Sequence, residues 1–251
     1  MSLSLPYTVR ESQRARYVRL NMSIRDGLVV VVPRRFDRRR IPELLSRKQR
    51  WIEKAFGRIS EQRQFLQSEP CTKVPERISL RAIGEDWSVE YRPSEVSSVT
   101  LWERPGNRLL VTGNVADVQA CKECFKRWLS RKARAHLVPW LARLAREKGF
   151  RVGRTLVKFQ KTRWASCSRR GTISLNAHKL FLTEDLVQYV LLHELCHTVH
   201  LNHSEEFWTL VHQHVPDYRE KRRQLRQAWQ LVPAWTDRYG TVPEGPRSEI
   251  G

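Results

Sequence analysis

Val190-Leu191-Leu192-His193-Glu194-Leu195-Cys196-His197 is the stretch that decides how this chain is read. Its apolar residues recur at helical spacing, and it contains the pattern H-E-x-x-H. Four residues make just over one helical turn, so His193 and His197 project from one face and can share a metal ion. Zinc accepts neutral imidazole at about 2.0–2.1 Å and tolerates an open fourth position. Glu194, next to the first ligand, is placed to hold a metal-bound water and take its proton. A glutamate and two histidines on a mostly buried helix would be costly without a metal or polar partners.

Two histidines compete for the third ligand position. His200 lies nearly one turn beyond His197 and would give an all-helical site. His203 matches the spacing met in metzincins, where the helix ends and the chain turns back to present the last ligand. The glycine of that pattern is replaced here by His200. Asn202 can adopt the left-handed conformation such a turn uses, and Ser204 can cap the next helix with His203 just before it. This geometry favours His203 and keeps His200 as the alternative.

Working outward, the metal-binding stretch belongs to a helix from Thr183, its N-cap, to His200, with Glu184 and Asp185 favouring its positive end. Strands are read at 156–159 and 172–176, and further helices at 204–214 and 217–231. Residues 115–148 form one long or two consecutive helices, with Pro139 as a point of division and Gly149 as the stop. Short alternating runs between 77 and 113 read as a small antiparallel sheet. The segment 67–75 is a polar linker broken by two prolines. Near the start, the runs 17–24 and 28–33 flank Arg25-Asp26-Gly27, a hairpin signature. A helix over 41–65 follows, with Pro42 in its first turn. The organisation expected is a β-hairpin and helix region over 1–70, a β region over 71–113, a catalytic domain over 114–231, and a loose tail from 232.

With 40% hydrophobic residues, nine Trp and eight Phe in 251 residues, the chain can bury a sizeable core. No apolar run reaches the roughly 18 residues a membrane span needs, and Met1 to Arg10 has no apolar signal core. Five cysteines are too few and too scattered for a disulfide scaffold. A cytoplasmic location is therefore expected. Lys and Arg total 46 against 26 Asp and Glu, a formal charge of +20. Such a field attracts polyanions, so nucleic acid or nucleotides are candidate partners through the basic surface.

Beyond the metal-binding stretch, His193-Glu194-Leu195-Cys196-His197, Asn202-His203-Ser204 and Phe207-Trp208 resemble the YgjP-like metallopeptidase family. The resemblance extends to Lys161-Thr162-Arg163-Trp164-Ala165-Ser166-Cys167-Ser168, where Ala165 replaces a glycine, to Gly171, Ile173, Leu175 and Asn176, and to Pro216-Asp217-Tyr218. In its catalytic half that family is similar to SprT-type proteases, which process protein crosslinked to DNA. The resemblance implies an α+β fold with a zincin-like catalytic domain. It also implies one zinc ion per chain held by His193, His197 and His203, Glu194 as catalytic base, and a protein or peptide substrate.

The function expected is a zinc-dependent metallopeptidase-like hydrolase using a metal-bound water activated by a glutamate. Two alternatives share the sequence features: a zinc-dependent nucleoside triphosphate pyrophosphatase, and a nucleic-acid-binding protein with a structural zinc. Among weaker constellations, residues 164–168 read as support for the metal helix, and Cys196 as core. Cys121 and Cys124 form a C-x-x-C without the second pair a zinc knuckle needs. His178 and His212 read as surface residues, and Tyr218 as a candidate oxyanion donor.

Overall fold

A computed structural model describes residues 6–236 and 241–242, apart from 14, 16, 24–26, 54, 58–73 and 161–162. The chain divides into two compact units, Met1–Pro70 with Tyr239–Arg247, and Cys71–Arg238 with Ser248–Gly251. Both mix helices with sheets.

In the smaller unit, β1 (Tyr7–Ser12), β2 (Arg19–Ser23) and β3 (Gly27–Pro33) form a sheet with β3 central. β2 and β3 pair antiparallel, as the hairpin signature predicts; of the expected Arg25-Asp26-Gly27 turn, residues 25 and 26 lie outside the described residues. β1 pairs with β3 in parallel, a long-range pairing that no local signal announces. Helix α1 (Ile41–Arg47) stops at Lys48 and the chain is helical again to Gly57, so the helix read over 41–65 is interrupted; residues 58–65 are not described. Met22, Leu28, Val30, Val32, Ile41, Leu45, Ile52 and Ala55 make this unit's own core.

The larger unit is built around one long helix, α2 (Val118–Lys148), capped by the Asp117 side chain and stopped by Gly149 in a left-handed conformation (φ 74°). Pro139 sits inside it without dividing it. On one side lies a sheet of β4 (Arg77–Leu80), β5 (Glu85–Pro93), β6 (Thr100–Arg104) and β7 (Arg108–Gly113), in the order β4-β5-β7-β6. The expected antiparallel sheet is in fact mixed, because β5 and β7 run parallel. Its inward residues Ile78, Trp87, Leu109 and Val111 share one core with Phe125 and Trp128 of α2, so this β region and the helices after it pack as one body. Trp87 meets Trp128 edge-on at 5.4 Å.

A second sheet, β8 (Thr155–Lys158), β9 (Ala165–Cys167) and β10 (Ile173–Asn176), places β10 in the middle. β10 leads through a short 3-10 helix, Ala177–Phe181, into α3 (Glu184–Cys196), then α4 (Glu205–His214) and α5 (Tyr218–Gln227). The loose tail expected from 232 does not hold for 232–236 or 241–242, and the rest of that stretch lies outside the described residues. Val232, Ala234 and Trp235 are buried, with Trp235 against Phe125 and Phe181, and Thr241–Val242 pairs with β2. Three apolar residues without a period were enough to anchor the chain.

Asp185 in the first turn of α3 bonds to Lys221 of α5, which also reaches Asp217 at 3.5 Å. The Lys221 hydrogen bond holds the Asp185 carboxyl below its ordinary range. A depressed carboxylate stabilises the fold above its unfolded pKa, and that contribution is lost as pH falls through the folded pKa. Asp185 is half exposed, so Asp185→Asn is expected to cost at most about 1 kcal/mol at pH 7 in urea denaturation. Wild type and variant should converge well below the unfolded value of about 3.9.

Candidate metal centre and its surroundings

α3 is apolar on nearly every face, which is the pattern of a helix in the middle of a core. His193 and Glu194 lie in its last turn, 1% and 0% exposed, and His197 caps it through its backbone N–H to the His193 and Leu195 carbonyls. Thr198 Oγ1 donates to the Leu195 carbonyl and the His200 N–H to that of Cys196, so the chain leaves the helix in a tight turn. Asn202 does not take the left-handed conformation expected of it; Arg35 and Asn107 are the non-glycine residues with positive φ among those described. The turn closes instead through these 195–200 hydrogen bonds. Ser204 is the N-cap of α4, without a side-chain bond to that helix's backbone N–H groups.

This path brings His203 back to the other two histidines. The Nε2 atom of His203 lies 3.2 Å from that of His197 and 3.2 Å from that of His193. Ligand atoms of the three residues all fall within 4.8 Å of one another. Nitrogens held at about 2.0–2.1 Å around a tetrahedral ion are roughly 3.3 Å apart, so the spacing fits a metal. The proton bookkeeping agrees. His197 Nδ1 is 2.9 Å from the His200 carbonyl, which can only accept, so Nδ1 carries the ring's proton and Nε2 offers a lone pair. A His203 Nε2 that donates to His197 has no lone pair left to accept from His193, and an unprotonated one sets its lone pair against that of His197 unless a cation lies between them. His200 thus contributes a carbonyl to the turn, and its imidazole is outside the cluster.

Phe207 of α4 fills the space beneath the three rings. It is fully buried, stacks on His197 at 4.4 Å, and meets His193 and His203 edge-on at 4.9 and 4.7 Å. Trp208 flanks His203 at 5.5 Å and stacks on Tyr218 at 5.1 Å. The Tyr218 hydroxyl accepts from Arg219 Nε at 3.3 Å, and the residue is half-buried.

The Glu194 carboxylate is wholly buried and takes no hydrogen bond from the described residues. Burial drives its pKa up; the charges of Lys179 and Arg163 pull it down. Lys179 is equally buried, its ammonium also without a hydrogen-bond partner among the described residues, and burial lowers its pKa against the opposing pull of Glu194. Asn176 fixes the neighbouring backbone: its amide donates to the Gln160 and Arg163 carbonyls at 2.8 and 2.7 Å, and its carbonyl accepts from the His178 N–H. Arg163 and Lys179 are thereby carried on segments tied to one side chain. A buried carboxylate with no hydrogen-bond donor among the described residues is out of place in a finished core.

Of the flanking stretch, Trp164 stacks on Trp229 at 4.2 Å and Ala165 is buried. The Cys167 thiol is pushed up to about 11, by burial first and then by the Glu194 charge. His178 is 3% exposed, between Phe159 and Trp229, and not on the surface as its sequence context suggested; His212 is exposed. Cys121, Cys124 and Cys196 are buried. Lys179 was missed in the sequence. Its signal was a lone charge in the run Ala177 to Leu182, otherwise apolar but for His178.

Residues 16–228 match the family model described as YgjP-like, metallopeptidase domain. A solved structure, the metallopeptidase zymogen of Pyrococcus abyssi abylysin, is 26% identical over 36% of this chain and 92% of that one, with a TM-score of 0.34. No curated protein matches the sequence.

Proposed function

Because this chain belongs to the YgjP-like metallopeptidase family, we propose that it is a zinc-dependent peptidase whose ion is held by His193, His197 and His203 and whose base is Glu194. The observation that carries this reading is the convergence of three ring nitrogens beside a buried carboxylate that has no hydrogen-bond donor among the described residues. The imidazole ligand set favours zinc over calcium or magnesium, which prefer oxygen. When bound, zinc supplies Lewis acidity toward a carbonyl and toward water.

The chain's own residues do the rest. Glu194 takes a proton from the attacking water and returns it to the leaving amine nitrogen. Lys179 and Arg163 favour the ionised carboxylate against the cost of its burial. The His200 carbonyl fixes the tautomer and orientation of His197. Its substrate in this reading is a protein or peptide; among the described residues no helix is long and apolar enough to cross a membrane.

The test is a parallel screen of unfolded proteins, peptides and nucleoside triphosphates with zinc-loaded and zinc-stripped protein. Peptide bond cleavage that follows zinc loading is the expected result. Phosphate release that follows zinc while peptides stay intact would replace this reading with a pyrophosphatase.

A further inference from the structure

The outer face of the β4-β5-β7-β6 sheet has no part in the metal centre, yet it carries a second set of chemistry. Along β7, Leu109 and Val111 point into the core while Arg108 is exposed and Leu110 and Thr112 are partly so. Register then fixes the neighbours: Trp102 and Glu90 flank Leu110, Arg104 and Ser88 flank Arg108, and Arg92 lies beside Thr112. Trp102 is 55% exposed, an unusual state for so large an apolar ring. A shallow cavity of about 220 Å³ opens here, lined by Glu90, Arg92, Arg104, Arg108, Leu109 and Leu110.

The arginines are only partly engaged. Arg92 Nε donates to Glu90 at 2.7 Å and Arg108 Nε to the Pro105 carbonyl at 3.2 Å. The terminal nitrogens of these two, and the Arg104 guanidinium, have no hydrogen-bond partner among the described residues. Of the acidic groups nearby, Glu90 is paired with Arg92, and Glu103 faces the other way, accepting from Trp128 of α2. Asp86 on β5 is the remaining carboxylate of this face.

We infer that this sheet face binds single-stranded nucleic acid, with Trp102 stacking on a base and Arg92, Arg104 and Arg108 pairing with phosphates. An aromatic ring among cations on an open sheet is the arrangement that holds unpaired bases, each of which offers a π-face. A duplex keeps its bases stacked on one another and would offer the ring nothing. The overall charge of +20 works in the same direction by drawing a polyanion in. This inference is independent of the peptidase reading.

The experiment is fluorescence anisotropy of a labelled oligothymidylate with the full chain over a range of salt. Trp102→Ala is expected to weaken binding by roughly 5- to 150-fold, the loss of one stacked base, with the salt dependence unchanged. Trp102→Phe should retain most of the affinity. The combined Arg92→Gln, Arg104→Gln and Arg108→Gln variant should lower the log–log salt slope by about 2, at ~0.7 for each phosphate contact. Duplex of the same length should bind more weakly. Arg38→Gln, Arg39→Gln and Arg40→Gln together, in the basic run of the smaller unit, should change little. The inference is overturned if the wild type does not bind. It is equally overturned if the sheet arginine variant binds with an unchanged slope, or if the Arg38–Arg40 variant alone abolishes binding. Because the three arginines are on an exposed face, their variant decides the matter even if Trp102→Ala fails to fold.

Discussion

Glu194→Gln is expected to lose peptide hydrolysis by about 10²- to 10⁴-fold, the range a general base contributes, while keeping its metal. The substitution preserves shape and removes both the charge and the ability to accept a proton. It also leaves the three imidazoles untouched, and their convergence does not depend on the carboxylate. Stability should not fall with activity. The wild-type carboxylate is buried without a hydrogen-bond donor among the described residues, so a neutral amide relieves the cost of a buried charge. Against that, Lys179 loses the charge that offsets its own burial. The two effects oppose each other, so a thermal melt should move little compared with the kinetic loss. Equal kcat/KM in wild type and variant, measured at equal metal content, would remove Glu194 from the role of base.

Phe207→Ala is the second large effect, and it separates packing from ligation. Phe207 touches no metal, but its ring lies against His193, His197 and His203. Truncation of a fully buried phenylalanine costs about 3–5 kcal/mol. The same cavity frees the three rings to rotate, and loss of such support typically lowers metal affinity by about 10- to 100-fold. Urea denaturation and competition with a chelator read the two effects separately. Phe207→Leu should recover much of the stability but less of the affinity, since it fills volume without the flat face that stacks on His197. A variant that loses stability yet binds metal as tightly as wild type would show that Phe207 is only a core residue.

The grouping of His193, His197 and His203 was legible because its signal is local. The spacing of His193, Glu194 and His197 is a property of one helical turn, and the return to His203 needs only six further residues. The β2–β3 pair was legible for the same reason: an alternating run and a β-branched run on either side of Arg25-Asp26-Gly27. What could not be read depends on distant partners. The parallel pairings of β1 with β3 and of β5 with β7 leave no mark in either strand alone. His178 looked like a surface residue because its cover, Phe159 and Trp229, is supplied from 19 residues before it and 51 after. Lys179 is buried by the same packing, and its counter-charge Glu194 lies a helix away. Asparagine tolerates a left-handed turn, so Asn202 could have supplied one, but hydrogen bonds from Thr198 and His200 close the turn without it.

The most direct test of the account is metal stoichiometry by elemental analysis on untagged protein, comparing wild type with His203→Ala and His200→Ala. The account predicts about one zinc per chain in the wild type. His203→Ala should lose most of it, and His200→Ala should keep it, since the His197 proton needs the carbonyl of residue 200 and not its side chain. A wild-type protein that takes up no metal when zinc is supplied, or a His203→Ala variant that binds as fully as wild type, would contradict it.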